Sequence, residues 1–299
     1  MLGRRLFHWQ HRYAPYLFVA PFVLVFCAFG LYPLVKSLVL SFYITSGPKS
    51  RVFVGLGNFA FLLADRDFHK AVRNTGVFAL FSVFLQLPLS LTLALLLNRA
   101  WLRGRNFFRL VFFSPRLVGM VFVAVLFAVI FQPQFGLLNR VLHTLVGLNV
   151  DTKWLGNPAL VMPALVLTAL WMYVGFNMIY FLAALQAVDQ ALYDAAKVDG
   201  ANAWQQFRHV TLPGIKPVAV FVVVLSTIGS FQLFELPYLM LGNTGGPENA
   251  GLTIVMYLYQ NGFETGDLGY ASAIGWTLAL GVLVVSLVQM RITGAWRRD

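Results

Sequence analysis

Apolar residues follow one another in long runs along this chain, and short polar connections separate the runs. Six runs reach the length of about 20 residues that a helix needs to cross the hydrocarbon layer of a membrane; they are residues 16–35, 76–97, 110–131, 160–185, 217–241 and 270–290. Polar and apolar residues do not alternate within them, as they do in the strands of a membrane barrel. The pattern predicts an all-α integral membrane protein with six transmembrane helices.

Composition agrees with a membrane protein. Of 299 residues, 59% are hydrophobic and 11% are charged, and the mean hydropathy is +0.74. These values exclude an ordinary soluble enzyme, because soluble domains carry about 25% charged residues. The first run follows basic residues, but it exceeds the 7–15 apolar residues of a usual signal peptide. We expect a retained first helix and one membrane domain at 16–292, between a basic segment at 1–15 and a tail at 293–299.

The positive residues predict an orientation in the membrane. The net charge is +11, which invites a nucleic-acid interpretation, but the Lys and Arg residues lie between apolar runs and not along one polar face. Connections on the cytoplasmic side are rich in Lys and Arg. With a cytoplasmic N-terminus, the inside segments hold Arg4, Arg5, Arg12, Arg99, Arg103, Arg105, Arg109, Lys197, Arg208, Lys216, Arg291, Arg297 and Arg298, and the outside segments hold Lys49, Arg51, Arg66, Lys70, Arg73, Arg140 and Lys153. Both termini are therefore predicted to be cytoplasmic.

Residues that support covalent chemistry or ion transport are scarce. Cys27 is the only cysteine, so neither an intrachain disulfide nor a cysteine-based metal site can form. No lysine follows a glycine, so the phosphate-binding loop that ends in Gly-Lys is missing. Glu235 is the only acid inside a predicted span, whereas a carrier driven by protons or sodium more often has several. We expect no catalytic residue, metal or cofactor in this chain.

The connection between the fourth and fifth runs, residues 192–213, has the pattern of two short helices. The first contains an alanine pair and ends at Gly200, which can adopt the left-handed conformation that follows a helix. The second places Trp204 and Phe207 on one apolar face, and Pro213 is expected to stop it before the next span. An amphipathic loop lying on lipid headgroups is the alternative interpretation.

The order of residues in this loop resembles the EAA loop of ABC importer permeases. That motif runs Glu-Ala-Ala-x-x-x-Gly and ends, after nine residues, in Ile-x-Leu-Pro; here the matching residues are Asp194, Ala195, Ala196, Gly200, Val210, Leu212 and Pro213. Two positions depart from it, since Asp194 replaces Glu and Val210 replaces Ile. The resemblance implies a coupling helix that docks on an ATPase subunit, with contacts from Asp194, Ala195, Ala196, Asp199, Gly200, Ala201, Leu212 and Pro213.

Weaker matches extend the resemblance over nearly the whole chain. Residues 14–18, 32–33, 55–59, 73–75, 243–247 and 268–273 look like the carbohydrate branch of this family, the maltose/glycerol-3-phosphate type. The resemblance implies a sugar permease of the bacterial or archaeal inner membrane. Its partners would be a second permease subunit, two ATPase subunits that bind ATP and Mg, and an extracytoplasmic sugar-binding protein. A stand-alone secondary carrier and a membrane-embedded enzyme remain as alternatives.

Polar and aromatic residues in the two spans beside this loop are candidates for the substrate pathway. Aromatic faces stack on the C–H face of a sugar, and amides and hydroxyls bind its hydroxyl groups. The candidates are Trp171, Tyr173, Phe176, Asn177, Ser226, Ser230, Gln232 and Glu235. The alternative role of these residues is helix-to-helix packing.

Small residues mark the beginning of the sixth run. Gly269, Ala271, Ser272, Ala273 and Gly275 lie there, and small side chains let membrane helices approach closely. We expect this end of the helix to pack against protein. Alternatively, these residues only reflect the usual composition of membrane helices.

Overall fold

The computed structural model of the chain describes residues 2–47, 50–99, 101–147 and 152–294. Lys49 of the predicted outer segments, and Arg297 and Arg298 of the predicted tail, lie outside these ranges. The structure divides into two units. One is formed by Met1–Ala64 with Asn261–Trp276, and the other by Asp65–Gln260 with Thr277–Asp299.

The first unit contains three helices and one hairpin before its C-terminal part. These elements are α1 (Leu2–Phe26), α2 (Tyr32–Leu40), β1 (Tyr43–Ser46), β2 (Ser50–Phe53) and α3 (Gly57–Ala64). A π turn at Cys27–Leu31 joins α1 to α2, so that Tyr13–Leu40 is one continuous helical stretch.

The second unit contains most of the helices. They are α4 (Arg66–Phe81), α5 (Leu87–Asn98), α6 (Arg105–Phe113), α7 (Met120–Ile130), α8 (Leu137–Val146), α9 (Pro158–Ala187), α10 (Gln190–Val198), α11 (Ala203–Gln206), α12 (Leu212–Phe231), α13 (Glu235–Leu241) and α14 (Ile254–Tyr259). π turns at Ser82–Gln86 and Phe207–Thr211 join α4 to α5 and α11 to α12. The last helix, α15 (Leu268–Ile292), begins in the first unit and ends in the second.

The hairpin corrects the prediction of an all-α chain. β1 and β2 pair in antiparallel fashion, with Tyr43 opposite Phe53, and Gly47 follows β1 with a φ of +74°. Aromatic and β-branched residues favour these strands. Each strand has only four residues, which is too short to appear in a pattern judged over the 20 residues of a membrane span.

Asp267 fixes the start of α15 within the first unit. Its Oδ1 accepts hydrogen bonds from the backbone N–H of Gly269 and of Tyr270, at 3.1 and 3.0 Å, and from Thr45 of β1. A Cβ added to Gly269 would lie 1.8 Å from the carbonyl oxygen of Tyr43, so the hairpin touches this helix at its backbone. The predicted protein contact of the small residues is confirmed for this end of α15, where Gly269 is buried together with Ala271 and Ala273.

Five helices in the described part of the chain are long and apolar enough to cross a membrane. They are Tyr13–Leu40, Arg66–Asn98, Pro158–Ala187, Ala203–Phe231 and Leu268–Ile292. A sixth crossing exists if the bent pair Arg105–Leu117 and Met120–Ile130 counts as one span. The predicted spans therefore correspond to these helices, with corrections at the third and the fifth.

The third predicted span, residues 110–131, is not one straight helix. After a 3-10 turn at Ser114–Leu117, Val118 and Gly119 adopt extended backbone conformations, and the two helices meet at 99°. Pro115 has no N–H to donate, but the residue before it, Ser114, remains helical. The bend lies three residues after the proline, where Val118 and Gly119 leave the helical conformation.

The fifth predicted span, residues 217–241, begins earlier and ends earlier than expected. Pro213 does not stop the helix, since Ala203–Phe231 is continuous. Pro213 lies in the first turn of α12, directly after the π turn, where a missing N–H is tolerated as it is at a helix start. The helix ends at Phe231, and Glu235 starts the separate helix α13, so the prediction of a carboxylate inside this span is wrong.

Half of α9 is buried inside the second unit. One hydrophobic cluster forms around Leu165, Phe127 and Leu236, and another around Met178 and Ile215. In these two clusters α9 packs closely against its neighbours, and such packing is what holds membrane helices together.

The approach of α6 to α9 is closest at Gly175. A Cβ at this position would lie 1.7 Å from the carbonyl oxygen of Phe112. Only glycine permits this distance, because the backbone of α6 takes the place of the side chain. The contact fixes the bend after α6 beside the middle of α9.

Candidate functional site

α10 and α11 meet at a glycine turn. Gly200 has a φ of +77°, and its N–H donates to the carbonyl of Lys197 at 3.0 Å. The N–H of Ala201 donates to the carbonyl of Ala196 at 2.9 Å. This pair of bonds is the Schellman arrangement that ends many helices, and it confirms the helix end that the sequence predicts at Gly200.

Side-chain hydrogen bonds order the start of α11 and link α10 to the π turn that follows. The Asn202 side chain accepts from the N–H of Gln205 at 2.9 Å, while the Gln205 side chain accepts from the N–H of Asn202 at 2.7 Å; this is a capping box. The hydroxyls of Tyr193 and Thr211 lie 3.0 Å apart and link α10 to the π turn before α12. The helix pair is therefore an ordered element and not a loose loop.

Apolar side chains of this helix pair are exposed in the isolated chain. Val198 is 88% exposed, Trp204 66% and Leu192 54%, and the Trp204 ring lies against that of Phe207. Exposed groups of large apolar residues mark surfaces that another molecule covers. The helix pair thus has the properties of an interaction surface.

Asp194 carries a negative charge at the start of the segment that resembles the EAA motif. Its Oδ1 lies 2.9 Å from Nζ of Lys197, and both side chains are exposed. The hydrogen bond from Lys197, with a weaker one from Gln190, lowers the pKa of the Asp194 carboxyl below its usual value. The carboxylate is therefore ionised at neutral pH.

A crease of about 330 Å³ lies between α10 and α11. Its lining is Ala196, Asp199, Gly200, Ala201, Gln205, His209 and Val210. The structure thus brings four of the eight predicted coupling residues to one crease. Asp194 and Ala195 lie on α10 outside this lining, and Leu212 and Pro213 begin α12.

A second candidate site is a cavity of about 260 Å³ within the second unit, which we call the central cavity. The π turn between α4 and α5, the bend after α6, the middle of α9 and the second half of α12 contribute to it. Its lining is Phe78, Ser82, Gln86, Arg116, Tyr173, Phe176, Asn177, Tyr180, Val222, Leu225, Ser226, Gly229, Ser230 and Leu233. Five predicted pathway residues belong to it: Tyr173, Phe176, Asn177, Ser226 and Ser230.

The other three predicted pathway residues do not line the central cavity. Trp171 packs on Phe127, with ring centroids 5.4 Å apart, on the side of α9 that faces the first hydrophobic cluster. Gln232 follows the last residue of α12, and Glu235 starts α13. The break after Phe231 removes both from the wall that α12 forms.

The sequence analysis did not single out four polar residues of the central cavity. Ser82 and Gln86 lie in the π turn of the second span, Tyr180 lies one turn after Phe176, and Arg116 lies at the bend of the third. A charge next to a proline inside an apolar run was the available signal for Arg116, because such charges in membranes mark functional positions.

Arg116 lies over two aromatic rings of α9. Its guanidinium carbon is 5.5 Å from the centroid of the Tyr173 ring and 5.3 Å from that of Phe176. At these distances the ring faces attract the cation. Tyr180 meets Phe176 edge to face at 5.3 Å, so the aromatic wall continues along α9 beyond the guanidinium.

Metal-binding geometry is not found in the part of the chain that the structure describes. No group of three or more His, Cys, Asp or Glu side chains there could hold a metal ion. The chemistry available at both candidate sites is hydrogen bonding, stacking and the charges of exposed side chains.

Comparisons with known proteins agree on one family. The family model described as "Binding-protein-dependent transport system inner membrane component" matches residues 86–298. The arabinooligosaccharides transport system permease protein AraP of Bacillus subtilis is 39% identical over 99% of this chain and 94% of its own length. The lactose transport system permease protein LacF of Rhizobium radiobacter is 36% identical over 92% of each chain.

A solved structure with the same fold covers nearly the whole chain. It is a chain of a bacterial alginate ABC transporter, crystallised in complex with an alginate pentasaccharide-bound periplasmic protein. The TM-score is 0.83 and the identity 26%, over 97% of this chain and 98% of that chain.

Proposed function

Because this chain belongs to the family of binding-protein-dependent transport system inner membrane components, we infer that it is a permease subunit of an ABC importer whose cargo is a sugar. The names of its relatives support a sugar, since they include permeases for arabinooligosaccharides and for lactose. It is a transporter permease and not an enzyme, and the stand-alone carrier interpretation is not favoured. ATP is hydrolysed, in this proposal, by a separate pair of ATPase subunits.

The helix pair α10–α11 is the proposed coupling element. Its ordered turn and its exposed Trp204 and Val198 support a docked protein partner. Closure of the ATPase pair would move the helix pair as a rigid body, and the continuous helix from Ala203 to Phe231 would carry that movement into the membrane.

The proposed orientation places this element and both termini in the cytoplasm. The excess of Lys and Arg in the inside segments supports it. A second permease subunit would complete the pathway, and an extracytoplasmic sugar-binding protein would deliver the sugar from the other side. The central cavity is the proposed part of that pathway in this chain, because its aromatic rings and side-chain amides suit a sugar.

Co-purification tests this function. The tagged chain is co-expressed with a candidate ATPase subunit, purified, and assayed for ATP hydrolysis with and without that subunit. We expect hydrolysis only in the assembled complex. ATP hydrolysis by the chain alone would contradict the proposal, and sugar uptake driven by an ion gradient without any ATPase would establish a secondary carrier.

Cross-linking locates the coupling contact. In a Cys27→Ala background, Ala196→Cys at the crease should form a cross-link to the ATPase subunit with a bifunctional maleimide. Thr144→Cys on α8 is the matched control and should form none, because it lies in the predicted outer connection. Equal cross-linking at both positions would count against α10–α11 as the docking element.

A further inference from the structure

Among the residues that the structure describes, Arg116 is the only charged one that lines the central cavity. No carboxylate lies within 4 Å of its guanidinium, and no hydrogen bond joins it to any residue that the structure describes. Its described contacts are the rings of Tyr173 and Phe176. These rings attract the cation over their faces but leave its N–H donors without acceptors.

Arg116 lies beside the middle of α9, one of the helices long and apolar enough to cross a membrane, so the proposed function places its guanidinium near the middle of a crossing. α9 spans Pro158–Ala187, so its midpoint falls between Met172 and Tyr173, and Phe176 lies only about 5 Å further along the axis. A charge at this depth costs about 2.5–3.5 kcal/mol on insertion scales. Such residues usually face a water-filled cavity or pair with another charge. Arg116 is exposed in this chain; Glu235 is close enough to act on Tyr173 through its charge, but no described carboxylate forms an ion pair with Arg116.

Neutral polar groups that bind sugar hydroxyls surround this charge. The side-chain amides of Gln86 and Asn177 belong to the lining, and both residues are buried. The hydroxyls of Ser82 and Ser226 lie in the same lining. One cation beside amides, hydroxyls and aromatic rings is a set that suits a polar ligand with one negative charge.

We propose that the central cavity selects sugars that carry a carboxylate, with Arg116 as the residue that binds it. The proposal rests on the proposed function and specifies its substrate class. A planar guanidinium pairs with a carboxylate through two parallel hydrogen bonds. A phosphate group carries more than one negative charge at neutral pH. The described lining of the cavity contains one cation, so a uronic acid matches the site better than a sugar phosphate.

Matched pairs of sugars test the selection. The assembled complex is reconstituted in nanodiscs without the binding protein, so that the permease cavity alone is measured. Equilibrium binding is then compared for glucuronate and glucose, galacturonate and galactose, and mannuronate and mannose, together with glucose 6-phosphate. For at least one pair we expect the uronate to bind about tenfold or more tightly than its neutral partner, as a charge-assisted pair provides.

Three variants assign that difference to Arg116. Arg116→Met should abolish the preference for the uronate and leave neutral binding within about threefold, while Arg116→Lys should keep part of it because the charge remains. Arg105→Met removes an exposed arginine of α6 that does not line the cavity and should keep the full preference.

Each other outcome overturns the proposal. A wild-type complex that binds no uronate tenfold more tightly than its neutral partner has no such selection. A preference that survives Arg116→Met places the recognition elsewhere, and binding of glucose 6-phosphate more tightly than the uronates assigns the site to phosphate. The proposed import function is tested independently, by measuring ATP hydrolysis of the same complex together with its binding protein. Failure of that assay concerns the proposed function, whereas an active complex without uronate preference contradicts only the present inference.

Discussion

Gly200 lies at the turn between α10 and α11 with a φ of +77°, and apart from its chain neighbours no atom of the described residues lies within 4 Å of the position that a Cβ would take. Space is therefore available for a side chain, and the backbone conformation alone restricts the residue type. Asparagine adopts left-handed conformations far more readily than β-branched residues do. A comparison of asparagine and valine at this position therefore tests whether the backbone conformation of the turn or the absence of a side chain is required.

We predict that Gly200→Val uncouples transport and Gly200→Asn does not. Valine in this conformation costs about 1–3 kcal/mol of strain, so the two helices would change their angle. Sugar uptake per ATP hydrolysed, measured in proteoliposomes, should fall in the valine variant and stay near the wild-type value in the asparagine variant. An equal loss of coupled uptake in both variants would show that the absence of a side chain matters, and not the backbone conformation of the turn.

A second residue-scale prediction concerns the charge of Asp194. Because Lys197 lowers the pKa of this carboxyl, the stability that the pair contributes is present above the ordinary value of about 3.9 and is lost only as the pH falls through the lowered pKa. The ratio of coupled transport in Asp194→Asn to that in the wild type should thus be constant between about pH 5 and 8. A ratio that changes with a midpoint in this range would contradict an ionised Asp194.

Charge reversal separates an internal role of Asp194 from a docking role. Asp194→Lys should uncouple transport, because it reverses the charge that faces the partner subunit and because the new lysine repels Lys197. The double variant with Lys197→Asp restores an ion pair within α10 but not the original charge positions. We expect no rescue; rescue by the double variant would show that the pair only stabilises its own helix.

At the scale of elements, the approach of α6 to α9 positions the central cavity. Gly175 contacts the backbone of Phe112, and the 3-10 turn that carries Arg116 follows directly. Any increase in the spacing of these helices would move the guanidinium relative to Tyr173 and Phe176. The packing of two helices and the geometry of the cavity are therefore linked.

Gly175→Ala should lower the stability of the purified complex by about 1–3 kcal/mol or more, as an added methyl group does in a closely packed site. Gly281→Ala on α15 is the matched control, since no atom lies within 4 Å of its added Cβ. There, alanine should leave stability unchanged or raise it by up to about 1 kcal/mol, as in other helices. Thermal unfolding in detergent provides the comparison, and similar shifts for both variants would refute the close contact.

At the scale of the whole molecule, the bent pair Arg105–Leu117 and Met120–Ile130 determines the topology. If the pair crosses the membrane, the chain has six crossings and both termini lie on one side; if it returns to the same side, there are five crossings and the termini lie on opposite sides. The prediction of two cytoplasmic termini thus depends on this one element.

Cysteine labelling distinguishes the two topologies. In a Cys27→Ala background, Thr144→Cys, after the bent pair, should react with a membrane-impermeant maleimide on intact cells. Arg103→Cys, before the pair, should react only after permeabilisation, because the positive residues around it favour the cytoplasm. Reaction of both positions on the same side would identify a re-entrant pair.

The sequence by itself determined the features that depend on the solvent and on short-range geometry. Apolar runs of about 20 residues must become helices in lipid, since no water is present to satisfy the backbone, and the structure has helices at these runs. The end of α10 followed from Gly200 for a local reason, because the Schellman bonds join residues at most five positions apart. The family resemblance rested on the same short segment.

Only the tertiary structure decided which polar residues share a cavity and where the spans are interrupted. Gln86, Arg116 and Asn177 come from three separate spans, and their meeting depends on the contact of Gly175 with Phe112, which lies 63 positions away along the chain. Glu235 left its predicted span because the chain turns after Phe231. Hydropathy depends on composition within one segment, whereas the direction of each side chain depends on packing between segments that are distant in sequence.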